Sequence, residues 1–77
     1  MDATNNQIDV LAALAREARE ELEQKVALYH IGKVTYEDLT DAAKRMSNRF
    51  YDYQVAKYPK KKHRRVSYQT LIRNVGG

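Results

Sequence analysis

Two long stretches in which apolar residues recur in steps of three and four, and a helix-start signal between them, predict an all-α domain. No stretch alternates apolar and polar residues at strand period over a useful length. The expected architecture is an antiparallel helical hairpin, about 6–31 and 36–57, with a short C-terminal helix at about 68–75. Residues 1–77 are read as one small domain with a basic connector at 57–66. A chain of this size buries only about 60% of its unfolded surface, so its core is modest. It contains no cysteine, which excludes disulfides and thiolate metal sites.

The first helix opens near Thr4, Asn5 or Asn6, each able to cap free N–H groups. Ile8, Leu11, Ala15, Ala18, Leu22, Val26 and Tyr29 then share one face. Glu17 and Glu21 repel at four residues' spacing, whereas Glu21 and Lys25 attract. Gly32 suits the left-handed residue that closes a helix. Val10, Leu14 and Leu28 miss the main stripe and offer a second apolar surface. They are the candidate oligomer interface, through which a homodimer would form a helical bundle.

Thr35-Tyr36-Glu37-Asp38 reads as a capping box, with Thr35 as N-cap and Asp38 as its reciprocal acid. Tyr36, Leu39, Ala43, Met46, Phe50 and Tyr53 continue the helical stripe, broadened by Ala42. Tyr51, Val55 and Tyr58 lie on a flank suited to seating the third helix or a partner, with the third helix the preferred reading. Pro59 ends the second helix, because the residue before a proline disfavours helical geometry, and it is expected to send the chain away in extended form. Only Gly32, Lys33 and Val34 separate the long helices, so they should fold back on each other. Ser67 is a third N-cap, and Tyr68, Leu71, Ile72 and Val75 form a two-turn apolar face. A helix that short must dock to persist.

Charge is distributed unevenly. The net charge is +4, but residues 1–31 hold six acids against three bases and residues 32–77 hold eleven bases against four acids. The C-terminal half therefore suits an anionic partner. Its centre is the connector, where Lys57, Lys60, Lys61, Lys62, Arg64 and Arg65 stand together with His63. Lys44, Arg45 and Arg49 extend positive charge along the second helix. Arg45 and Arg49, four residues apart, are expected to form a solvent-facing strip. Tyr58 and Tyr68 flank the basic run and can stack on unpaired bases. Val66 to Asn74 resembles the opening of a helix-turn-helix recognition helix, with Gln69, Thr70, Arg73 and Asn74 available for base edges. However, the connector is far longer than that motif's three- to four-residue turn, so a docking helix is the preferred reading.

These features suggest a non-catalytic nucleic-acid-binding protein contacting phosphates through Arg45, Arg49, Lys57, Lys60, Lys61, Lys62, Arg64, Arg65 and Arg73, with Tyr58 and Tyr68. The alternative is an adaptor or inhibitor whose basic segment occupies an acidic or nucleic-acid-binding surface of a partner protein. His30 and His63 lack metal-ligand spacing, so neither a metal nor a cofactor is expected. His30 instead suits the negative end of the first helix. The Tyr53-x-x-x-Lys57 spacing has no glycine-rich loop beside it, and enzymatic activity is not expected. No apolar run approaches the ~20 residues of a spanning helix, and no leader-like segment stands at Met1–Asn6. A cytoplasmic location is the default expectation.

Overall fold

The computed structural model describes residues 5–76 and is all-helical, with no strand among them. Three helices follow in order: α1 (Asn5–His30), α2 (Tyr36–Lys57) and α3 (Tyr68–Gly76). The two long helices pack against each other, and α3 lies against both. Asn5 and Asn6 are already helical, so neither caps α1; Thr4, the third candidate, lies outside the described residues. None of these helices is long and apolar enough to cross a membrane.

Local chemistry sets the turn between the long helices. Gly32 adopts φ +74, its N–H donates to the Tyr29 carbonyl at 3.0 Å, and the Lys33 N–H donates to the Leu28 carbonyl at 2.8 Å. That pair of bonds is the Schellman closure, which needs a left-handed residue where it stands. The capping box that begins at Thr35, three residues after Gly32, is complete. The Asp38 N–H donates to Thr35 Oγ1 at 3.2 Å, and the Thr35 N–H donates to Asp38 Oδ2 at 3.1 Å. The Thr35 hydroxyl also donates to Asp38 Oδ2 at 3.1 Å. The Thr35 backbone bond, then its hydroxyl, then the charge of Lys25 hold the Asp38 carboxyl below the usual carboxylate range.

The core is a seam of small and branched residues. Ala18, Leu22 and Val26 of α1 meet Leu39, Ala42, Ala43 and Met46 of α2, and Leu71 of α3 closes the cluster. Phe50, Ile72 and Val75 pack around it. The ends of the apolar stripes behave differently. Tyr29 and Tyr36 are exposed and meet edge to face with centroids 5.9 Å apart. They stand at the turn end of the hairpin rather than filling its interior. Val10 and Leu28 are exposed as well, and Leu14 is half-buried.

Leu22 and Leu39 are fully buried, at 0% and 1% exposure. Leu22→Ala or Leu39→Ala should therefore destabilise the fold by about 2–5 kcal/mol, measured as a shift of the urea midpoint at unchanged slope. Asp38 gives a pH-dependent test. Its folded pKa is depressed, so its stabilisation is present above the ordinary carboxylate range and disappears as pH falls through the folded value. The stability gap between the native chain and Asp38→Ala should be open at neutral pH and close on acidification.

Candidate functional site

The connector between α2 and α3 is held at several points along its length. At its start the Tyr58 N–H donates to the Gln54 carbonyl at 2.8 Å. The Tyr58 carbonyl then accepts two donors, the Lys61 N–H at 3.2 Å and His63 Nε2 at 2.7 Å. The chain thus turns over Pro59 instead of leaving extended as its sequence suggests. Proline favours the second position of such a turn, where its fixed φ is already correct. At the far end the Ser47 hydroxyl, 3% exposed, donates to the Val66 carbonyl at 2.7 Å. Ser67 then caps α3, accepting from the Thr70 N–H at 3.3 Å, while its carbonyl accepts from the Leu71 N–H at 3.1 Å.

Aromatic rings seat much of the positive charge. The Lys57 ammonium lies 5.4 Å from the Tyr53 ring centroid and 5.6 Å from that of Tyr58, and donates to the Tyr53 hydroxyl at 2.9 Å. That bond pushes the Lys57 pKa upward, so the side chain stays charged. Lys61 stands 5.4 Å from the Tyr58 centroid, Arg65 4.8 Å from that of Tyr51, and Lys44 5.5 Å from that of Tyr68. A ring face attracts a cation by about 0.5–1 kcal/mol at exposed sites. It does so without neutralising it.

Carboxylates are scarce around these groups. Among the described residues no acidic side chain comes within ion-pair distance of Lys57, Lys60, Lys61, Lys62, Arg64 or Arg65. Arg45 is the exception among the candidate residues. Its guanidinium crosses to α1 and pairs with Glu21, whose hydrogen bond and charge raise its pKa. The expected Arg45–Arg49 strip is thus interrupted, because the hairpin register brings Glu21 beside Arg45; Arg49 is half-buried. Arg73 is exposed on α3, Tyr58 and Tyr68 are 44% and 42% exposed, and Val55 is exposed as well. Tyr51 is half-buried and, with Arg64, Val66 and Leu71, borders a 130 Å³ recess.

Two contacts of the connector were not foreseen from the sequence, the Ser47 hydroxyl on the Val66 carbonyl and the Tyr51 ring beside Arg65, although Tyr51 itself was expected on the flank toward the third helix. Ser47 follows Ala43 by four residues, so it falls in the apolar sector of α2, where a hydroxyl needs a partner. A second feature became visible only in three dimensions: a cleft of about 370 Å³ between α2 and the start of α3, lined by Ser47, Asn48, Arg65, Tyr68 and Gln69 among others. No family model, curated protein or solved structure matches the chain.

Ser47→Ala removes the only side-chain bond to the Val66 carbonyl among the described residues. It should lower stability by about 1 kcal/mol and speed tryptic cleavage between Lys60 and Arg65, followed by mass spectrometry.

Proposed function

We propose that this protein is a non-catalytic nucleic-acid-binding protein that grips phosphates through the connector. The observation supporting this most strongly is the set of six connector cations without carboxylate partners among the described residues, carried on backbone tied down at Tyr58 and Val66. Cations already paired with acids would release no counterions on meeting a polyanion, whereas unpaired ones do. Fixed backbone means that less chain order must be gained on binding. Cations spread along a turn contact the phosphate backbone and position the ligand without reading its sequence. Arg73 and Lys44 widen the charged surface, while Arg45 contributes less because Glu21 already engages it.

The test is a fluorescence-anisotropy titration at salt concentrations between about 50 and 200 mM. Binding should weaken with a log–log slope of several units, and the Lys60, Lys61 and Lys62→Ala triple variant should reduce that slope by about 2 to 3. Salt-indifferent binding, or a triple variant that binds as the native chain does, overturns the reading.

A further inference from the structure

We propose that the cleft between α2 and the start of α3 holds an unpaired base of a single-stranded nucleic acid, with Tyr68 as stacking surface, Asn48 and Gln69 at the base edge and Arg65 on the flanking phosphate. This rests on the phosphate-gripping reading above and names the class of nucleic acid.

Shape is the first argument. A duplex keeps its base edges at the floor of its grooves, and a protein reaches them with a protruding helix or ribbon. Here the polar side chains line a hollow, which an edge still in the stack cannot enter. At about 370 Å³ the hollow falls within the usual range of small-ligand sites, roughly 300–1,000 Å³. That is room for a base turned out of its strand.

Chemistry is the second. Tyr68 supplies a π face, and such stacking tolerates any base. Asn48 and Gln69 each carry a carbonyl acceptor and an amide donor, the complement that a base edge requires. Both are exposed, whereas the Ser47 hydroxyl is already committed to the Val66 carbonyl. The Arg65 guanidinium carbon lies 4.8 Å from the Tyr51 ring centroid, and with no carboxylate partner among the described residues its N–H donors remain for a phosphate. The Lys44 ammonium lies over the Tyr68 ring, 5.5 Å from its centroid, and adds positive charge beside that ring.

Continuity is the third. Tyr58, between Lys57 and Lys61, repeats the pairing of ring and cation at the other end of the connector. A single strand crossing the connector thus meets an aromatic surface with adjoining positive charge at each end.

The experiment compares a mixed-sequence single-stranded DNA oligonucleotide, the RNA of the same sequence and the matching DNA duplex, using the full chain at one salt concentration. Single strands should bind more tightly than duplex. Tyr68→Leu should weaken single-strand binding at least about fivefold, and by more than it weakens duplex binding, while Tyr68→Phe, which keeps the ring, should behave as native. Asn48→Ala should also lose single-strand affinity. Circular dichroism of each variant checks that α3 remains docked. Duplex binding as tight as single-strand binding overturns the proposal, as does native single-strand affinity in both Tyr68→Leu and Asn48→Ala. In either case the triple lysine variant still tests the phosphate grip separately. Failure of every probe to bind overturns both readings together.

Discussion

The seam between α1 and α2 imposes the constraint from which the rest follows. Ala15, Ala18, Ala42 and Ala43 are buried there, and side chains this short allow a close approach of two helices. Close approach also limits what each helix can bury. Leu22 and Leu39 are the largest fully enclosed side chains. A two-helix seam this thin leaves Met46 and Phe50 needing cover, and Leu71, Ile72 and Val75 of α3 supply it. Because α3 must return to the seam, the chain from Lys57 to Ser67 has to turn back on itself. The cationic surface is thus presented by the same chain reversal that completes the core.

Such a reversal concentrates like charges, which repel. Two devices soften this without supplying acids. Tyrosine rings face several of the cations, and their quadrupoles offset part of the repulsion while leaving each net charge in place. Hydrogen bonds to the Tyr58 and Val66 carbonyls, from His63 and Ser47, hold the backbone in place against what remains. Half of the acids lie on α1, where Glu21 draws Arg45 out of the basic surface and ties it to the hairpin. The uneven charge of the chain becomes in three dimensions a division between an acidic helix and a basic connector.

Much of the fold was legible because its signals are local. The apolar stripes, Gly32, the Thr35–Asp38 box and Ser67 each act within a turn or two of the chain, and each stands where the sequence placed it. What was not legible depends on register. Glu21 and Arg45 are 24 positions apart and meet only once the hairpin has a defined offset. Ser47 and Val66 are 19 apart and meet only once α3 has docked. The cleft at Asn48, Tyr68 and Gln69 joins two elements in the same way. Tyr29 and Tyr36 fit the stripes by spacing, but spacing does not reveal that both stay exposed at the turn end of the hairpin. At Pro59 the restriction on Tyr58 was visible, whereas the direction of the turn depended on donors supplied by Lys61 and His63.

The bond between His63 and Tyr58 has one more implication. A carbonyl oxygen has no hydrogen to give, so the imidazole must carry its proton on Nε2. The same carbonyl also accepts from the Lys61 N–H, so one backbone oxygen receives a main-chain donor and a side-chain donor together. The corner is thereby closed twice over at a single atom, and a histidine set among cations works there as a structural clasp.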